Sequence, residues 1–214
     1  MLNEKILEKR KFGTREMTIV GMLSGISIML GITGWGFIKL PLIQATIMHV
    51  PVIIGAIMEG PIVGMLVGLI FGIFSVIQNL SAPSVLSFAL INPLVSVLPR
   101  ILIGITAYYS YKYLKLDSLI IRLMNIFLKN KKQDIKAIKI GVGAAIGSIT
   151  NTVGVLGMIY IIYAAKFARA MKVSEAAAAK TIIGIALGNG VPEAIVAVII
   201  TVPIIIAVSK FRRR

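Results

Sequence analysis

The stretch Thr46 to Ser75, TIMHVPVIIGAIMEGPIVGMLVGLIFGIFS, decides how the rest of the chain is read. Two apolar runs meet at one punctuated turn, Glu59-Gly60-Pro61, and the second run carries Gly60, Gly64, Gly68 and Gly72 at four-residue spacing. In a helix that spacing stacks all four on one face. A face without side chains lets another helix come to backbone contact, which is how helices associate in lipid, where burying apolar area brings no gain. The stretch therefore predicts a hairpin of membrane helices built for close packing.

Composition points the same way. Of 214 residues, 57% are hydrophobic and 14% charged, and the mean hydropathy is +0.94; a soluble domain is far more polar. The net charge of +15 sits mainly at the chain ends and in one connection. That placement fits segments flanking a membrane and argues against a nucleic-acid face. The absence of cysteine excludes a disulfide framework, a metal–thiolate site and a cysteine nucleophile. Met1 to Arg15 is polar and basic, and the apolar run after it is too long for a signal peptide, so none is expected.

Working outward, the pattern predicts an all-α polytopic membrane protein with six spans. A basic lead covers 1–16, a single transmembrane domain 17–209 and a basic tail 210–214. The expected spans are about 17–34, 46–58, 61–80, 93–113, 138–165 and 180–208. The second is short against the ~20 residues that a bilayer requires, so it is read as tilted or as joined to the preceding loop. Phe37 to Ala45 reads as a structured loop behind the interfacial Trp35, and Tyr108, Tyr109, Tyr111 and Tyr113 form an aromatic belt. Leu114 to Lys136 carries Leu119, Leu123, Ile126 and Phe127 in a polar setting, the pattern of an interfacial amphipathic helix.

Six spans put both termini on one side. Seventeen Lys and Arg residues fall in the N-terminal lead, the connection from Lys112 to Lys139 and the C-terminus, against five in the opposite loops. The excess predicts cytoplasmic termini.

This orientation turns scattered polar residues into a pattern. Arg100 would lie about 12 Å below the outer surface at ~1.5 Å per residue. Asn189 would sit at similar depth, Glu193 one turn deeper, and Asn151 would approach from the other direction. His49, Gln78, Asn79 and Asn92 fall near the outer ends of their spans, and Gln44 closes the loop before the second. A charge at such depth costs at least ~2.5 kcal/mol, which makes it a candidate functional group.

Each has a structural alternative. Arg100 and Glu193 either neutralise each other as an interhelical ion pair or face a solute. The Gly190-Val191-Pro192 segment is either a kink offering carbonyls to a ligand or a simple bend. Asn151 and Asn189 are either interhelical hydrogen-bonders or ligand contacts. His49 is the single histidine, too little for a metal cluster, and no nucleophile stands at a recognisable spacing from it. No phosphate-binding Gly-Lys-Ser/Thr loop occurs, so active transport would need ATPase partners. No metal or other cofactor is expected.

The stretch Thr46 to Ser75, together with NPLVSVLPRILIG at 92–104, resembles the substrate-binding S components of energy-coupling factor (ECF) vitamin transporters. The resemblance implies a six-helix subunit of a prokaryotic cytoplasmic membrane. It would capture a vitamin outside the cell and work with a transmembrane T component and two ATP-binding subunits. It further implies that the loop from Phe37 to Ala45 gates the site. A small-residue face on the first helix, here Gly21 and Gly25, would meet the T component; internal packing of those glycines is the alternative.

The wording IMHVPVIIGA followed by Glu59-Gly60-Pro61 looks most like the pantothenate branch, with the riboflavin and folate branches more distant. A small carboxylate with hydroxyls and an amide would suit Arg100 as charge partner and Asn151, Asn189 and Gln78 as hydrogen-bonders. Two readings from other classes compete: a stand-alone channel or carrier, and an intramembrane enzyme using Glu193 and His49.

Overall fold

The computed structural model describes residues 12–39, 44–114 and 131–211. Most of the basic lead, the expected amphipathic helix after Leu114 and the last three arginines lie outside the described residues. Helix α1 runs Thr14–Thr33; its start is fixed by Glu16, whose carboxylate accepts the Gly13 N–H at 3.0 Å, and Gly34 ends it in the left-handed conformation at φ 73°. A small antiparallel hairpin follows, β1 Phe37–Lys39 and β2 Gln44–Thr46, with Phe37 opposite Thr46 and Lys39 opposite Gln44. These are the only strands among the described residues, whose other elements are all helices, as the all-α expectation has it.

Helix α2 spans Val50–Glu59 and α3 spans Pro61–Ser81. Between them Gly60 takes φ 111°, a conformation that L side chains rarely adopt, and Pro61 starts α3 where a missing N–H costs nothing. A short turn, α4 (Ser87–Leu90), leads to α5 (Pro93–Ser96) and α6 (Leu98–Tyr113). The chain ends in two long helices, α7 (Lys131–Met171) and α8 (Glu175–Phe211). α7 bends at Tyr163 (φ −131°, ψ 24°), whereas α8 stays helical through Pro192 and Pro203.

Among the described residues, five segments are long and apolar enough to cross a membrane: Thr14–Thr33, Pro61–Ser81, Pro93–Tyr113, Asp134–Met171 and Ala176–Phe211. α2 is the sixth apolar helix, and its ten residues rise only about 15 Å, half of a hydrocarbon core. The expected second span is therefore a half-length helix, with Gln44 to Thr46 drawn into the hairpin. Every residue from Val50 to Ile57 is buried, because α1, α3, α6, α7 and α8 all pack around it. That explains a helix apolar on all sides. The outer helices instead turn Met22, Ile73, Ile161 and Ile199 outward, the surface that lipid chains would cover.

The glycine stripe does two jobs. Gly60 makes the turn, while Gly64, Gly68 and Gly72 form the seam against α6 and its approach. A Cβ at Gly64 would lie 2.9 Å from Gly104 Cα, one at Gly72 would lie 2.7 Å from Val97 Cα, and one at Gly68 would strike the Arg100 carbonyl. This backbone-level contact fixes Arg100 relative to α3.

Candidate functional site

Arg100 owes its position to two prolines. Pro93 opens α5 and Pro99 lies in the first turn of α6, and the helix is interrupted between them at Val97. Pro99 has no N–H to offer the carbonyl four residues back, Val95. The Arg100 guanidinium takes that place, donating from Nη1 to Val95 O at 3.1 Å. The side chain is buried, its Cζ lies 5.6 Å from the centre of the Phe71 ring, and Nε has no partner among the described residues.

Four further polar groups share this region. His49 stands at the N-terminal end of α2, fully buried, and neither ring nitrogen has a partner among the described residues. His49 and Glu193 both lie within electrostatic reach of Arg100. On α7, Ser148 Oγ and Asn151 Oδ1 are buried without partners, and Gly154, one turn on from Asn151, brings α7 against Pro99. Buried polar groups are nearly always hydrogen-bonded, so a cluster of orphaned ones marks a place for a polar ligand.

Glu193 differs. Its Oε1 accepts from the Thr46 amide at 2.9 Å and the Thr46 hydroxyl at 3.0 Å, and Oε2 accepts from the Thr152 hydroxyl at 2.8 Å. No contact within salt-bridge distance joins it to Arg100. The one ion pair seen between described side chains is Arg15–Glu59, 2.8 Å, near the start of α1. Arg100 and Glu193 are thus neighbours in charge but not a bonded pair.

The remaining candidates are placed as follows. Asn92 caps α5, accepting from Leu94 N at 2.9 Å, and donates to the Tyr163 hydroxyl at 3.0 Å beside the bend in α7. Asn79 donates to Ser75 O at 2.8 Å and accepts from Ser87 Oγ at 2.7 Å. Gln78 donates to Gly31 O at 3.2 Å and so ties α3 to α1. Asn189 is half-buried and makes no side-chain hydrogen bond among the described residues; its neighbour Gly190 packs on Thr152. Gln44 lies in β2. The structure thus brings His49, Arg100, Asn151 and Glu193 into one region, with Asn189 at its edge. Asn79, Asn92 and Gln78 are engaged with the fold.

Thr46, Ser148 and Thr152 were not anticipated from the sequence, although Ser148 and Thr152 stand one turn apart beside Asn151 in the mostly apolar middle of the helix. Among the described residues no three His, Asp or Glu side chains gather as a metal site would require.

Two outward features stand apart. Gly21 and Gly25 are exposed on α1, with no atom within 4 Å of a Cβ built at either. An apolar groove of about 770 Å³ runs between α1, α2 and α8, lined by Met22, Ile26, Ile54, Ile200 and Ile204 among others. With so little polar surface, this groove does not suit a polar solute, and it contains none of the orphaned groups.

The model for the ECF transporter, substrate-specific component, matches residues 15–205. Among characterised proteins, the chain is similar to the pantothenic acid transporter PanT of Lactococcus lactis subsp. cremoris (strain MG1363). The two are 27% identical over 184 residues, covering 79% of this chain and 80% of the relative.

Proposed function

Because this chain belongs to the family of ECF transporter substrate-specific components, we propose that it captures pantothenate and hands it to an ATP-driven import complex. The observation that carries the reading is the state of Arg100. It is a buried guanidinium with Nε unpartnered and no carboxylate bonded to it, and a small carboxylate would supply what it lacks. His49, Ser148 and Asn151 offer hydrogen bonds for the hydroxyls and amide of such a solute. The similarity to a pantothenic acid transporter supports the same choice.

The rest of the proposal follows from the family and from charge. The chain sits in the cytoplasmic membrane of a prokaryote with both termini inside. A T component docks on the Gly21–Gly25 face of α1, and two ATP-binding subunits supply the energy. Calorimetry on the detergent-purified protein, with a panel of vitamins, tests the solute. One-to-one binding of pantothenate is the expected result, and binding of another vitamin would keep the capture role and change its solute. No binding by protein shown to be folded would overturn the reading in favour of a stand-alone carrier. Co-purification with an ATPase-bearing complex tests the partners.

A further inference from the structure

Glu193 is the group whose chemistry least fits a ligand contact. A carboxylate has about four acceptor positions, and three of them here are filled by Thr46 N, Thr46 Oγ1 and Thr152 Oγ1. The residue is buried, so little of it is left for a solute. Its partners also lie far apart in the chain: Thr46 closes β2, Thr152 is midway along α7, and Glu193 itself is on α8. One side chain therefore joins three elements. The segment it holds, Thr46 to His49, is the lead into α2. That lead is held from the other side by Ser27, which donates to Met48 O at 3.0 Å, and by the Ile47 amide, which donates to Gly36 O at 2.8 Å.

We propose that Glu193 is a positioning residue for capture: it ties Thr46 to α7 and α8, and breaking that tie opens the seam between β2 and the two long helices through which the solute passes. Glu193 spends its acceptor capacity on these three donors, and the solute's own carboxylate is left to Arg100. The proposal rests on the reading of the chain as a solute-capturing subunit.

Two readouts on the full chain test it. The first needs no solute: amide hydrogen exchange in peptides covering Thr46 to His49. Glu193→Leu and Thr46→Val should each speed exchange there, Glu193→Leu by at least about tenfold, the order expected when a charge-assisted hydrogen bond is lost. Unchanged exchange in both variants overturns the tie. The second is the pair of rate constants for pantothenate. Glu193→Leu should raise the on-rate and the off-rate together. Glu193→Gln, whose amide still accepts from Thr46 and can donate to Thr152, should return both to within about threefold of the parent.

A rise in the off-rate alone, or a Gln variant as impaired as the Leu variant, would make Glu193 a ligand or charge-balancing group and overturn the proposal. Thr46→Val serves the same comparison, with Thr46→Ser as its rescue, should Glu193→Leu fail to fold. Failure of every vitamin to bind would count against the capture reading, and the exchange experiment would then decide the tie by itself.

Discussion

Replacing Gly68 with alanine is expected to damage both stability and the site. A methyl group there would meet backbone: it would overlap the Arg100 carbonyl oxygen, lie 2.8 Å from the carbonyl carbon and 3.2 Å from Ile101 N. Ordinary contact begins near 3.4 Å, so relief of the carbon contact alone requires α3 and α6 to part by 0.6 Å (3.4 − 2.8), and the oxygen requires more. No flexible side chain stands between them to yield. Overpacking of this kind costs ~1–3 kcal/mol, and contact with backbone on both sides puts Gly68 at the upper end. The displaced backbone belongs to Arg100, so pantothenate affinity should fall as well. Thermal unfolding in detergent is the assay, with Gly184→Ala as control. Gly184 has nothing within 4 Å of a built Cβ, and alanine there should be neutral or stabilising by up to ~1 kcal/mol through helix propensity. A Gly68→Ala protein that melts at or above the parent temperature would refute the backbone-contact account of the seam.

Three other outcomes are expected. Arg100→Gln should weaken pantothenate at least tenfold, about 1.4 kcal/mol, and affect an analogue with the carboxylate reduced to an alcohol much less; equal losses for both would remove the charge from recognition. Gly21→Leu should leave solute binding intact and abolish uptake in cells supplying the partner subunits, because the exposed small-residue face would no longer admit a close helix; loss of binding would point to internal packing instead. Arg15→Gln removes the 2.8 Å ion pair with Glu59, whose side chain is buried although Arg15 is half exposed; glutamine can still donate a hydrogen bond to that carboxylate, so the stability loss should stay at about 1 kcal/mol. A loss several times larger would mean that this pair anchors the start of α1.

Much of the helical plan was legible because it follows from period and length: four glycines at spacing four, apolar runs near twenty residues, and prolines at helix starts. Arg100 was legible because a charge in an apolar run is rare. The half-length of α2 could be read from its run, but its central burial could not, since an all-apolar helix looks the same facing lipid or protein. The strands β1 and β2, three residues each, are too short to carry a pattern. Thr46 and Thr152 stand 147 and 41 residues from Glu193, so no local spacing ties them to it. Asn92 carries a second, local signal: an Asn immediately before Pro marks a helix start, and the structure uses it as the cap of α5.

The burial of α2 on every side has a consequence for how the protein meets membranes of different thickness. Helices in contact with lipid answer hydrophobic mismatch by tilting or bending, at fractions of a kcal/mol per Å. α2 is packed among five other helices and opens outward only along its groove with α1 and α8, so such strain reaches His49 at its end mainly through the helices around it. Arg100 is locked to α3 through the glycine seam in the same way. Solute affinity should therefore be nearly constant across bilayers of short and long acyl chains. The exposed face of α1, which does feel the lipid, should carry whatever thickness dependence transport shows.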